Sequence, residues 1–408
     1  MLLVLGLAPL PAPPAGAGST PVVIGHAGML TDLVQKGLTP EVAPGISLSS
    51  VPGPSLKVAR DIGRGKLAAD LFGSADATAN ELLLGKAGGG KVRWYAAFAR
   101  AEIVLAYSPK ADLPRRRLFD DAAAGKLRWY EALQHRDGLP DVKIGRSNPD
   151  EDPSGYYSLF VMQLAERLYQ KPGLAREVLG DDRNPTQVGK GSPANLAGGA
   201  IDAMFTYKSV AVTGAMKYLT LPAEVNLGDP GHAAGYATAS YTNRVDGTTR
   251  RGGVIRPSIA PLSGAASPAG AEVVLFDLFE HRSRLVDAFH LEPSDLYAGG
   301  DPEAIPAALR PYFHLRRLDL TVATGRHNCD AERLAVSGRG VEVLDAEWLD
   351  GPDCEVTIEA RSGATGDRDL EIVRHLGVHG HGPAVTVHRL KRAVRLDDAV
   401  PVKPPFLR

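Results

Sequence analysis

"VKIGRSNPDEDPSGYYSLFVMQLAERLY", residues 142–169, runs from a short apolar strand through a turn rich in acids and prolines into a long apolar helix. Tyr157, Phe160, Val161, Leu164, Ala165 and Leu168 fall at helical spacing, and Lys171-Pro172-Gly173 closes the run. Asp152 stands at the N-cap and Pro153 at the first helical position, where its missing N–H costs nothing. Two readings stay open: an acid that only caps its own helix, or an acid held at the mouth of a site.

The same strand-then-helix alternation extends on both sides, from Pro21 to about Phe313. "PVVIGHAG", "GISLSSV", "AADLFGSAD", "AEIVLAYSP" and "AIDAMFTY" read as strands; "MLTDLVQKGL", "SLKVARDIGRG", "ATANELLLGK" and "AGAEVVLFDLFEHRSRLVDAFH" read as helices. Such alternation predicts an α/β fold with parallel strands under helices, and its length exceeds one compact core, so two lobes are expected. After "RPYFHL" the texture becomes alternating apolar and polar, with Gly and Asp at the joints, as in "RLAVSGRGVEVLDAEWLD" and "CEVTIEARSG". That pattern predicts a small antiparallel β-sandwich over 316–408. Lobe 1 is expected over about 18–105 and 240–315, and lobe 2 over about 106–239.

The chain has 408 residues, 44% of them hydrophobic, and a formal net charge of -1, which argues against a nucleic-acid binder working by phosphate neutralisation. "MLLVLGLAPLPAPPAGAGSTP" has an apolar stretch from Leu2 to Leu10, then small residues ending at Ala15-Gly16-Ala17. It reads as the later part of a secretory signal peptide over 1–17; the missing basic n-region leaves a start further upstream, or a disordered tail, as alternatives. No other run approaches the ~18 apolar residues of a membrane helix, so an exported, soluble mature protein is expected. Cys329 and Cys354 then form either a disulfide, closing a loop of about 25 residues and contributing about 3 kcal/mol, or two unrelated buried thiols.

Two other turns bear on Asp152. Ser55 precedes "LKVARDIGRG" as a hydroxyl N-cap, and "GHAGML" passes from a strand through Ala27 and Gly28 into a helix. Each leaves backbone N–H groups at the positive end of a helix, a site for an oxyanion, and such turns converge at strand carboxyl ends. "GHAGML", "GPSLKVARDIGRGKLAADLFGSAD", "LAYSPKADL", "VKIGRSNPDEDPSGYYSLFVMQLAERLY", "AIDAMFTYKSVAV" and "LPAEVNLGDP" resemble, in order and spacing, the tungstate/molybdate-binding proteins of ABC importers, a branch of the extracellular solute-binding proteins. The resemblance covers about residues 21 to 313, with the GRSNP and DPSGY blocks its most specific parts.

The resemblance implies a two-lobed periplasmic-binding-protein fold that closes over one oxyanion and presents it to a membrane permease. It implies that Ser55 binds oxyanion oxygens, that Asp152 ligates the tungsten or molybdenum centre, that Ser154, Gly155 and Tyr156 form a backbone-donor turn, and that Tyr207 follows the second-lobe strand. Two positions depart from the family pattern. Met29 replaces a serine, leaving the backbone N–H groups of Gly28 and Met29, and Thr206 replaces an acid, leaving a hydroxyl to donate to an oxo group. With Asp152 as the single carboxylate, a tetrahedral or partly expanded centre is expected. Lys208 either offsets ligand charge or is merely solvated. No cofactor is expected beyond bound tungstate or molybdate, and the protein is expected to act as a monomer, without nucleic acid and without catalysis.

The alternatives are another oxyanion such as sulfate or phosphate, or a surface sensor or adhesin whose β-sandwich does the work. That β-domain resembles the immunoglobulin-like domains of bacterial surface proteins. An enzyme with Asp152 as base lacks a histidine, lysine or second carboxylate placed beside it by the sequence. His375, His379 and His381 lack an acid or cysteine cluster at metal-ligand spacing and read as a turn. "GKAGGGK", residues 85–91, lacks a phosphate-loop frame. His26 either touches ligand or bonds to its own turn. Trp94, Tyr95, Trp129 and Tyr130 read as packing residues.

Overall fold

A computed structural model describes residues 21–38, 46–85, 88–180, 191–301 and 304–313, and the backbone of strands between 320 and 407. The signal-like segment 1–17, Cys329, Cys354, His379 and His381 lie outside the described residues. The chain divides into two compact units, Met1–Val92 with Arg100–Glu292, and Arg93–Ala99 with Pro293–Arg408.

The strands up to residue 300 are β1 (Val22–Ala27), β2 (Leu48–Gly53), β3 (Leu71–Ser74), β4 (Trp94–Ala97), β5 (Ile103–Tyr107), β6 (Ile144–Gly145), β7 (Ala203–Tyr207), β8 (Lys217–Thr220), β9 (Ser240–Thr242), β10 (Thr249–Arg251), β11 (Ser258–Pro261) and β12 (Tyr297–Gly300). The helices are α1 (Ser55–Gly63), α2 (Leu113–Ala123), α3 (Pro153–Leu168), α4 (Leu174–Leu179), α5 (Pro193–Gly198), α6 (Lys208–Thr213), α7 (Ala233–Tyr236), α8 (Pro268–Glu280) and α9 (Arg282–Ala288).

The first unit holds two sheets, each the centre of a lobe. In the first, β1 lies between β2 and β3 and runs parallel to both, while β11 joins β3 antiparallel. In the second, the order is β6–β7–β5–β8; β6 runs parallel to β7, whereas β5 is antiparallel to β7 and β8. The expectation of parallel strands therefore holds for β1, β2 and β3 and for the β6–β7 pair, and fails at β5, β8 and β11. Segment 108–143 stays at the end where β5 finishes and delivers β6 there, so the chain reverses without a crossover.

Burial explains the elements. β3 and β5 are buried at every position, as strands covered on both faces must be. Helix α3 is apolar nearly all round and sits inside its lobe, with Tyr156, Tyr157, Phe160, Val161, Leu164 and Ala165 buried. The run "LVQKG" winds more widely than an α-helix, Leu38 N–H donating to Leu33 O at 2.9 Å. A side chain at Gly37 would force the Phe289 ring to move, because a Cβ would lie 2.6 Å from it. The pair β9–β10 forms an antiparallel hairpin tied to α3 by Gln163, which bonds both backbone groups of Ser240.

In the second unit β4 pairs antiparallel with β12, and Trp94 meets Phe313 edge-on at 6.0 Å. Beyond them lie β13 (Leu320–Ala323), β14 (Arg333–Gly338), β15 (Glu342–Leu349), β16 (Glu355–Arg361), β17 (Gly366–Leu376) and β18 (Thr386–Leu396). They form two three-stranded antiparallel sheets, β13–β16–β15 and β14–β17–β18, as the alternating pattern predicts. Among the described residues no helix is long and apolar enough to cross a membrane.

Candidate functional site

Strand register brings the predicted turns together. Ala27 at the end of β1 pairs with Gly53 of β2, and His26 with Gly73 of β3. Gly28, Ser55 and Asp76 therefore leave neighbouring strand ends in the first lobe. In the second lobe β6 and β7 run parallel, and their carboxyl ends deliver the turn before α3 and Tyr207. Both sheets thus aim carboxyl ends at the candidate site, the usual place for a ligand in α/β folds.

Gly28 is exposed and Met29 half-buried, in a short 3₁₀ turn. His26 is fully buried: Nδ1 lies 2.9 Å from Ala27 O and Nε2 2.7 Å from Ser50 Oγ. Burial lowers its pKa, so the neutral imidazole serves the turn.

Ser55 is not the N-cap expected of it. Pro54 occupies that position and Ser55 is the first helical residue, its Oγ accepting the Ala75 N–H at 3.2 Å. The next two N–H groups, of Leu56 and Lys57, donate to the carbonyl of Glu151 at 3.0 and 3.2 Å. The positive end of α1 is thus partly satisfied by the turn preceding α3.

Asp152 is the N-cap of α3, and Pro153 follows it as predicted. Its Oδ1 accepts the Ser154 N–H at 2.9 Å and lies 2.9 Å from Ser154 Oγ, which is also 2.8 Å from Ser147 Oγ. Among the described residues no donor reaches Asp152 Oδ2. Burial raises the carboxyl pKa above the usual aspartate range, the Ser154 hydrogen bonds pulling the other way. Gly155 spends its N–H on Asp152 O at 3.0 Å and admits no side chain, since a Cβ would sit 2.6 Å from Pro149 N and Ser147 O.

Tyr156 contributes through its side chain, the hydroxyl donating to Asp76 Oδ2. The sequence pattern by itself does not single out Asp76. Its Oδ1 accepts the Thr78 N–H at 2.9 Å and caps the 3₁₀ turn Ala77–Leu82, the same device Asp152 uses at α3. An acid ending a buried strand, "LFGSAD", just before "ATANELL" was the available signal.

Tyr207 closes β7. Its hydroxyl is buried without a hydrogen-bond partner among the described residues, and its ring meets Tyr157 edge-on at 6.3 Å. Burial, then the charges of Asp152 and Asp76, push its pKa well up. Two carboxylates therefore bear on one unused phenol, where the sequence offered Asp152 alone. Thr206, one residue earlier on the strand, points to the opposite face of the sheet. Lys208 is partly exposed and held by two acids: Nζ lies 2.7 Å from Glu102 and 3.0 Å from Glu292. The hydrogen bond to Glu102 raises its pKa against the cost of burial. Trp129 and Tyr130 are buried packing residues, as are Trp94 and Tyr95. Among the described residues no three His, Cys, Asp or Glu side chains are grouped to hold a metal ion.

Two sheets whose strand ends converge on a polar cluster define a two-lobed ligand-binding protein. Residues 26–272, more than half of the chain, match the model of the bacterial extracellular solute-binding proteins, and the chain belongs to that family. It is 41% identical over 169 residues to a Haloferax volcanii protein named as an ABC transporter molybdenum-binding protein, covering 40% of this chain and 50% of that one. It is 31% identical over 179 residues to the molybdate/tungstate-binding protein of Pyrococcus abyssi, with 38% and 49% covered. The chain spans about half the length of these two curated relatives. The periplasmic molybdate-binding protein of Azotobacter vinelandii aligns over 67% of this chain and 99% of its own at 17% identity, with a TM-score of 0.43.

Proposed function

We propose that this protein captures molybdate or tungstate outside the cytoplasm and hands it to the permease of an ABC importer, acting as a monomer and without turnover. The observation that carries the reading is the unpartnered, buried Tyr207 hydroxyl beside Asp152, where strand ends of both sheets meet. A phenol donates to an oxo group. A carboxylate oxygen free of protein donors is an available ligand for a hexavalent metal centre, whereas it repels a tetrahedral dianion whose central atom accepts no further ligand. Ser55 and the Gly28–Met29 turn supply further contacts in this reading; Ser154, Gly155 and Tyr156, whose Ser154 and Gly155 N–H groups and Tyr156 hydroxyl bond within the protein, hold the turn that aims Asp152, and Thr206 supports the strand from its other face. The relatives named for molybdenum, molybdate and tungstate support the same cargo.

The test is the thermal midpoint and calorimetric titration of the full chain with molybdate, tungstate, sulfate and phosphate. Stabilisation by the first two, lost in Asp152→Ala, is the expected result. Stabilisation by sulfate or phosphate instead would reassign the cargo. A flat response across the panel would leave Asp152 as a helix cap and turn attention to the C-terminal strands.

A further inference from the structure

The hydroxyl of Tyr156 joins the two lobes directly, from the first turn of α3 to the turn after β3. Four further hydrogen bonds surround it. Leu56 and Lys57 donate to Glu151 O, Arg60 Nη2 donates to Asp150 O at 2.8 Å, and Arg250 Nη1 donates to Thr78 Oγ1 at 3.3 Å. The Arg250 guanidinium also lies 5.8 Å from the centre of the Tyr156 ring and 3.7 Å from Asp246. Tyr156 is fully buried and Asp76 nearly so, which makes their hydrogen bond a shielded one.

We propose that Asp76 is a positioning residue of the anion site: through the Tyr156 hydroxyl it clasps the first turn of α3 to the first lobe and so sets where Asp152 stands. The inference rests on the oxyanion reading. Asp76 needs two acceptor oxygens, one for the Thr78 N–H and one for Tyr156. An asparagine has a single acceptor oxygen, so one charged acceptor is lost and the Tyr156 contact is left to a weaker neutral bond in which the amide donates to the phenol oxygen. The sign of the effect is diagnostic. By charge alone, removing a carboxylate beside an anion site strengthens anion binding; if Asp76 works as a clasp, removing it weakens binding.

The experiment uses the full chain as wild type, Tyr156→Phe, Asp76→Asn and the double variant. Molybdate and tungstate affinities are read by calorimetry, and the exchange of the Leu56 and Lys57 amides is followed without added anion. Tyr156→Phe keeps the ring and isolates the hydroxyl. Each single variant is expected to bind about tenfold more weakly, the double no more weakly than the worse single, with the two amides exchanging faster in all three. Tighter or unchanged binding in Asp76→Asn, additive losses, or unaltered amide exchange overturns the clasp. If wild type binds neither anion, the oxyanion reading fails, and the amide exchange still decides whether the clasp exists.

Discussion

Tyr207 holds a hydroxyl inside the protein with nothing to donate to, a state that costs about 1–3 kcal/mol relative to a satisfied group. Tyr207→Phe removes that cost along with the oxygen. Urea unfolding is expected to show equal or greater stability of the anion-free protein, while calorimetry shows at least tenfold weaker molybdate binding. The opposing pattern, lost stability with intact affinity, would make the tyrosine a packing residue. Asp152 has a second signature. Its pKa is raised in the folded protein, so the native state binds the proton more tightly than the unfolded chain, and the ionised carboxyl weakens folding. Its contribution is most favourable at low pH and is lost as pH rises through the folded-state pKa. Asp152→Asn keeps an acceptor for the Ser154 N–H and carries no charge. Thermal midpoints across pH 4 to about 8 should show the variant gaining on wild type as pH rises.

The element that organises the site is α3 with the turn before it. Gly155 lets that turn approach the helix, and Gly155→Ala is expected to cost 1–3 kcal/mol or more in urea unfolding, because backbone must move to admit the methyl group. Asp150 secures the same turn to the β9–β10 hairpin, accepting from Tyr241 Oη at 2.8 Å, from Arg244 N–H at 2.7 Å and from Arg244 Nε at 2.8 Å. Burial works to raise its pKa, but these bonds hold it below the usual aspartate range, so its contribution is present at neutral pH and lost as pH falls through the folded value. What could be read from sequence follows from range. The Asp152 cap, Pro153 and the apolar face of α3 are local patterns. Asp76 gains its role from Tyr156, 80 residues away. The reversed direction of β5 depends on how segment 108–143 travels, which a strand–helix alternation does not encode. Ser55 lost its predicted cap role to the residue before it, because Pro54 takes the extended N-cap conformation.

At the scale of the molecule, binding that engages both lobes couples anion to fold. At about 100 times its dissociation constant the anion should add roughly 2.7 kcal/mol, a rise of a few degrees in thermal midpoint for the first unit. Lys208 provides the contrast. Held by Glu102 and Glu292, it belongs to the framework, so Lys208→Ala should lower the midpoint while leaving affinity within about twofold. Asp152 combines two tasks that differ in tolerance to change: it caps a buried helix and aims a free carboxylate oxygen. Serine or asparagine performs the first task nearly as well and the second not at all. Under the proposed function, mutational drift at this codon would therefore yield descendants that fold and persist as before while carrying nothing. In such lineages selection for a sound protein would never detect the loss; only scarcity of the metal would.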